Sequence, residues 1–469
     1  MKLTVRHPDG RLEERTYIFD VLFNEFLGIE IECIAENRHD ILISFGDNSS
    51  ELRVADVFLA VPASDWLQAS SLPSIPLKDF TLPEDLRQIS CGSCADIPIL
   101  FGQPDESGNF FQRQGDSIYM GVDVFGSAFF MLSRYEELCV ADRDEYGRFP
   151  YVASLSAQAG IIDRPIVNEY LEVLWACLKL IKPDLQRKTQ RYACAPSHDV
   201  DRLFDTRDKS WSAVARNVAG DLFRRGDFAL ASKRLYSRAI SGREDFRHEP
   251  SNTFDFIMDT SEALGLTSAF YFISRKKPEL ENCDYSIGMP WVRALLRRID
   301  ERGHELGLHG SYQSFSDGNE LSTELSNLRL VGREEGVTQN FRGGRQHYLR
   351  WDAATTWRNW EAAGLAYDST LTYAERAGFR SGTCYEYPVF DILSRTRLRL
   401  RERPLIVMEA SLLGDRYMQL SGTDAADRVS YLASVCRKFN GQFTILWHND
   451  NLTRRNQRAL YREILKSVA

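Results

Sequence analysis

The chain has 469 residues and a mass of 53.7 kDa, roughly two to three times a usual single domain, which predicts at least two. Its 43% apolar and 26% charged residues are those of an ordinary globular protein and exclude long disorder or a fibrous repeat. Acidic residues exceed basic ones, 66 to 58, for a net charge of -8, which leaves no electrostatic reason to expect a nucleic-acid partner.

From the N-terminus, Met1 to Phe19 carries charges throughout, from Lys2 to Arg15, and lacks the apolar centre of a secretory signal. Elsewhere no uncharged apolar run approaches the ~20 residues of a membrane span, so the expected compartment is the cytoplasm. Alternating apolar residues predict strands over Asp40–Phe45 and Asp56–Val61. Nine cysteines, an odd number without disulfide-framework spacing, suit reduced thiols. Cys91-Gly-Ser-Cys94 is the only close pair, with no second pair nearby to complete a tetrahedral metal site. Ile166–Ile181 has helical spacing, and Pro183 lies just beyond its end. These elements predict a smaller α+β domain over residues 1–185, with 182–190 as a linker.

Over 191–469 short apolar runs alternate with longer helical stretches, the mark of β/α units on a parallel sheet or barrel. Strands are expected over Tyr192–Ser197, Thr267–Ile273, His304–His309, Asn340–Gly344, Ala366–Thr370, Leu405–Glu409 and Phe443–Trp447. Helices are expected over Trp291–Arg302, Thr323–Glu335, Asp352–Ala363 and Asp424–Phe439, with Gly364 and Gly441 punctuating two ends. A helical insertion occupies about 205–250. Its basic stretch from Arg216 to Arg247 is interleaved with Asp221, Asp227, Glu244 and Asp245, as on a solvated helix face, with contact to an anionic head group as the other reading.

In parallel barrels the reactive side chains gather where strands meet the loops that follow them. Asp199 and Asp201, at i and i+2 on leaving the first strand, point the same way and suit a metal ligand and a base. A turn motif would also use them. His309 ends the third strand and suits a borderline cation such as zinc, whereas His304, at the other end of that strand, suits a structural role. His448 leaves the last strand as a general acid or base, or as a packed ring. Arg345 could pair with a catalytic carboxylate, and Asp368 could orient an imidazole or cap a turn. Tyr312 and Trp447 border the expected mouth, where each could stack on a sugar ring or serve ordinary packing.

The ordered set His198-Asp-Val-Asp201, Gly303-His-Glu-Leu-Gly-Leu-His309, Arg345 and Leu446-Trp-His448 resembles the NodB-type polysaccharide deacetylase family. Met131-Leu-Ser-Arg-Tyr-Glu-Glu137 and Asp163-Arg-Pro-Ile-Val-Asn-Glu-Tyr170 are similar to the accessory domain ahead of its divergent bacterial members. The resemblance implies a distorted (β/α)7-type barrel and a hydrolase that removes acetyl from an N-acetylated sugar, a glycan precursor in surface polysaccharide biosynthesis. It makes Asp199 the base, Asp201 and His309 metal ligands, Arg345 the partner of Asp199 and His448 the general acid. A divalent ion, zinc first, would assist amide hydrolysis. The family usually has a second histidine four residues after the first, a place that Gln313 fills here as a neutral oxygen ligand, with His198 or His347 as substitutes. The third motif also lacks its usual proline after Arg345. Two alternatives follow from Gln313: a metal-independent C–N hydrolase, or a catalytically silent glycan-binding protein.

Overall fold

Two main sheets carry the chain, and they share no strand. The computed structural model describes residues 3–46, 50–90, 95–207, 209–240, 246–275 and 283–469; structural statements concern these residues, and Cys91 and Cys94 lie outside them. The first sheet uses β1 (Leu3–Pro8), β2 (Ile31–Glu36), β3 (Asp40–Ser44) and β4 (Glu51–Ala55). A short pair, β5 (Lys78–Thr81) and β6 (Asp96–Ile99), stands apart, and β7 (Phe111–Gln114) and β8 (Ser117–Met120) complete the order β2-β1-β3-β4-β8-β7. Alternation sets its faces, with Leu3 and Val5 buried on β1 and Ile41 and Ile43 on β3. The helix Ile166–Ile181 forms as expected, anchored by Tyr170, whose hydroxyl donates to the Pro98 carbonyl at 2.6 Å.

The strand expected over Asp56–Val61 is instead a turn that follows β4. Its backbone is diverted by buried carboxylates. Asp123 accepts the N–H groups of Val57 and Phe58, both at 2.9 Å, and Asp56 faces Arg15 in a buried pair. Those N–H groups are therefore withdrawn from any ladder.

The second sheet contains β9 (Ala193–Val200), β10 (Ala269–Phe272), β11 (Glu305–Gly310), β12 (Gly343–Gln346), β13 (Tyr367–Asp368), β14 (Tyr387–Asp391), β15 (Thr396–Glu402), β16 (Val407–Met408) and β17 (Gln442–Leu446). It curls in the order β14-β15-β13-β12-β11-β10-β9-β17-β16. Every neighbouring pair is parallel except β14–β15. The seven strands expected from the sequence all coincide with observed ones. The hairpin β14–β15 is additional, so the seven-strand expectation is corrected to a nine-stranded sheet. Its turn is held by Asp391, which accepts the N–H of Leu393 at 3.1 Å.

The insertion is helical, with helices over Trp211–Ala219 and Phe228–Ile240. Gly364 ends its helix in the left-handed conformation, φ 78°. At the other expected helix end Asn440 takes that conformation, and Gly441 is required for closeness: an added Cβ would lie 2.2 Å from Cys384 Sγ. No helix among the described residues is long and apolar enough to cross a membrane.

The two sheet units meet over a continuous apolar core in which Tyr17 and Phe129 both pack on Phe390 of β14. That contact covers the edge strand of the second sheet, where unpaired backbone would otherwise be exposed. Beside it lies a buried ion network. Arg134 donates to Glu136 at 2.7 Å, to Glu137 at 2.9 Å and to the Arg380 carbonyl at 2.7 Å. Arg380 in turn donates twice to Glu137, at 3.0 and 2.6 Å. Arg134→Ala leaves Glu136 buried without its cation, and the expected loss is about 3–5 kcal/mol of unfolding free energy. Urea denaturation of wild type and variant measures it, and a loss below ~1 kcal/mol would mean that the network relaxes into solvent.

Candidate active site

β9 lies between β10 and β17 in the curled sheet, and its alternation sorts the first motif. Ser197, Asp199 and Asp201 are directed to one side, while His198 and Val200 turn to the other. Asp199 is buried and accepts Arg345 Nη1 at 2.7 Å. Arg345, fully buried on β12, also donates Nε to the Ser369 carbonyl at 2.7 Å and Nη2 to the hydroxyls of Ser197 and Ser369 at 3.0 and 3.1 Å. The pairing expected of Arg345 and Asp199 is thus present in the geometry.

Asp201 lies just beyond the end of β9, where three imidazoles converge on it. His309 Nε2 is 3.1 Å from Asp201 Oδ1 and 3.8 Å from Asp199 Oδ2. His347 Nε2 is 3.6 Å from the same Asp201 Oδ1, and His448 Nε2 is 3.6 Å from Oδ2. His309 Nδ1 donates to the Arg345 carbonyl at 2.9 Å. A carbonyl can only accept, so the proton sits on Nδ1, the tautomer whose Nε2 lone pair faces the cluster.

His448 is held differently, by an acid the sequence reading missed. Glu409 Oε1 accepts His448 Nδ1 at 2.7 Å, the His448 backbone N–H at 3.1 Å and Asn451 Nδ2 at 2.8 Å. The available signal was its place at the end of the strand expected over Leu405–Glu409. Burial pushes the His448 imidazole down, but the Glu409 carboxylate outweighs it and, with Asp201 and Asp199, holds the ring well above the usual imidazole range. Burial likewise pushes Asp201 up, and the neighbouring His347 ring outweighs it, holding that carboxyl well below the usual range. Asp450, also missed, is raised by burial to about 6 against the pull of His448.

Other expected site residues stand elsewhere. His198 is fully buried on the opposite face of β9, its Nδ1 bonded to the Trp447 carbonyl at 2.7 Å and its ring stacked on Phe270; it has no place in the cluster. Trp447, 1% exposed, packs edge-on against Tyr461 in the core rather than bordering the mouth. Both follow from period-two alternation beside Asp199 and His448. Asp368 touches no imidazole. Its Oδ1 accepts the N–H and hydroxyl of Thr370, and it stands across from Glu402 in the β13–β15 register. Burial pushes Asp368 up to about 7, and burial with Asp368 as neighbour pushes Glu402 well above the carboxylate range. Tyr312 is half-buried after β11 under the Arg350 guanidinium. Gln313 is exposed in the same turn. His304 accepts the Ser268 N–H at 3.1 Å, away from the cluster.

Asp201, His309 and His347 offer one ligand atom each, all within 4.8 Å of one another. His309 Nε2 and Asp201 Oδ1 are buried without a hydrogen-bond partner, a costly arrangement unless a further group satisfies both. Donors around a tetrahedral ion with ~2.05 Å bonds stand about 3.3 Å apart, close to the 3.1 and 3.6 Å measured here. One carboxylate and two imidazoles fit a borderline divalent cation.

A family profile described as a family of unknown function, DUF7033, matches residues 3–183. No curated protein sequence matches the chain. Among solved structures, a candidate polysaccharide deacetylase from Mycobacterium smegmatis is similar at 15% identity and a TM-score of 0.37, over 59% of this chain and 83% of that one. The PuuE allantoinase is similar at 12% identity and a TM-score of 0.35, over 58% and 83%. A polysaccharide deacetylase from Bacillus cereus is similar at 12% identity and a TM-score of 0.27, over 60% and 87%. These values are too low to carry function, which has to come from the side chains.

The buried His198 ring gives a stability prediction. Burial lowers its pKa from 6.5 to about 4, so the folded state disfavours the proton that the unfolded chain accepts. The resulting stability is complete above about pH 6.5 and is lost as pH falls towards 4, at about 1.4 kcal/mol per unit. In His198→Gln this slope is absent. The difference between wild-type and variant unfolding free energies in urea is expected to shift by about 2 kcal/mol between pH 6 and pH 4.5; a constant difference would show that the ring is not held neutral.

Proposed function

We propose that the protein is a metal-assisted C–N hydrolase that removes the acetyl group from an N-acetylated sugar, with zinc as the cation. The observation that carries this reading is that Asp199 and His448 both border the donor set Asp201, His309 and His347, with Asp199 Oδ2 3.8 Å from His309 Nε2 and His448 Nε2 3.6 Å from Asp201 Oδ2. A divalent ion on those three residues supplies, when bound, a Lewis acid that polarises the acyl carbonyl and acidifies water. Arg345 fixes Asp199 through Oδ1, leaving Oδ2 turned towards the donor set as the base that takes a proton from the attacking water. Glu409 occupies Nδ1 of His448, so the proton on Nε2 is the one presented to the site. His448 delivers it to the departing nitrogen, without which an amide nitrogen leaves poorly. The products are acetate and a free amine. The metal-free alternative rests on Gln313, and His347 supplies the donor that alternative takes to be missing.

Acetate release from N-acetylglucosamine oligosaccharides, with and without added Zn(II), tests the reading. Asp199→Asn is expected to lower kcat about 10²–10⁴-fold while the protein still binds one equivalent of metal; unchanged turnover would remove Asp199 as the base. Glu409→Gln tests the acid separately. The carboxylate raises the His448 pKa, and activity that needs the protonated ring falls once pH exceeds that value. Removing the carboxylate therefore moves the alkaline limb of the kcat profile to lower pH, and an unmoved limb would assign that limb to another group.

A further inference from the structure

His347 donates from a turn rather than from a regular element. Tyr348 and Leu349, which follow it, both take left-handed backbone, with φ 59° and 56°, a conformation costly for residues with a Cβ unless the surroundings enforce it. The enforcing groups come from the first sheet unit's side of the chain, in residues 144–148. Arg148 Nη1 donates to the Tyr348 carbonyl at 2.9 Å. The Tyr146 ring stacks on the Tyr348 ring, centroids 5.3 Å apart and planes within 14°, and the Tyr348 ring also packs on the His347 imidazole, centroids 4.1 Å apart. Arg350, closing the turn, donates Nε to the Tyr146 carbonyl at 2.7 Å.

The segment is itself braced. Asp144 accepts the N–H groups of Tyr146 and Arg148 at 2.9 and 2.8 Å through Oδ1, and Arg148 Nε at 2.7 Å through Oδ2. Arg148 is 8% exposed, so the clamp reaches into the body of the protein and does not rest on its surface.

We propose that residues 144–148 are a positioning clamp for His347, with Arg148 and Tyr146 as the positioning residues, and that the N-terminal part of the chain thereby completes the divalent site of the barrel. The inference rests on the metal-site reading above. Two of the donors, Asp201 and His309, are set by β9 and β11 within the second sheet. The third stands on the strained turn, where the Tyr312 ring meets Tyr348 from the second sheet's side and residues 144–148 pin the turn from outside that sheet. Releasing the pin lets Tyr348 return to an ordinary conformation and swings the His347 ring away from Asp201.

The test compares metal binding in wild type, Arg148→Ala, Tyr146→Ala and Tyr146→Phe, each verified by its melting transition. Affinity for Zn(II) is read by competition with a chromophoric chelator, and coordination by the visible spectrum of the Co(II)-loaded protein. Arg148→Ala and Tyr146→Ala are expected to keep one site but to bind Zn(II) about 10–100-fold more weakly, with a changed Co(II) spectrum. Tyr146→Phe keeps the ring stack and is expected to match wild type. If Arg148→Ala does not fold, Tyr146→Ala carries the comparison. Wild-type affinity and spectrum in both alanine variants, with affinity lost in His347→Ala, would overturn the clamp and leave the metal site standing. A wild-type protein that binds no Zn(II) or Co(II) would overturn the metal reading and the clamp with it.

Discussion

Arg345 carries its charge with no exposed surface, and it spends its donors on Asp199, on both hydroxyls of Ser197 and Ser369 and on the Ser369 carbonyl. A buried guanidinium this completely engaged ties the end of β9 to the segment after β13, across the inside of the curled sheet. Its own backbone carbonyl holds His309 Nδ1. One residue therefore sets both the orientation of the base and the tautomer of a ligand. Neither adjustment could be made independently, because the Arg345 side chain and carbonyl belong to the same short strand.

The chain ahead of the barrel is tied to it at several levels. Leu132-Ser-Arg-Tyr-Glu-Glu137 supplies the buried ions that meet Arg380. In the Asp163–Tyr170 stretch, Asp163 receives Arg428, while Asn168 accepts the hydroxyl of Thr383 at 2.9 Å and the N–H of Cys384 at 3.1 Å. The segments that resemble an accessory domain are thus contact surfaces, and their chemistry is explained by desolvated charges that must find partners. Burial of β14 by Tyr17 and Phe129 closes the exposed edge that an incomplete barrel would leave.

Most of the strand plan of the second sheet was legible because buried parallel strands leave short apolar runs between helices, and each run expected after residue 191 overlaps a strand, whereas Asp56–Val61 did not become one. The hairpin β14–β15 was hidden for the converse reason. It has no following helix, and Thr396–Glu402 alternates arginine with leucine like a surface strand. Asp199, Asp201, His309, Arg345 and His448 were legible as polar residues at strand exits. Parity of direction would have removed His198 and Trp447, since each adjoins an inward-facing residue on an extended segment. Glu409 left no pairing in sequence with His448, 39 residues away, and only the β16–β17 contact brings the two together. His347 was open as a substitute donor, but the turn that presents it was hidden, because its left-handed residues, Tyr348 and Leu349, are not glycine or asparagine.

The two imidazoles that flank Asp201 show how one side chain type is given opposite roles. His309 has a carbonyl at Nδ1 and a carboxylate oxygen beyond Nε2, which fixes the tautomer and leaves a lone pair for a cation. His448 has a carboxylate at Nδ1, which stabilises the doubly protonated ring and makes it a proton donor. Exchanging a carbonyl for a carboxylate at one ring nitrogen separates a ligand from an acid. The division needs no difference in the rings themselves. It needs only that β12 present its backbone and that Glu409 open the short helix directly after β16, so the assignment of roles follows from the strand order.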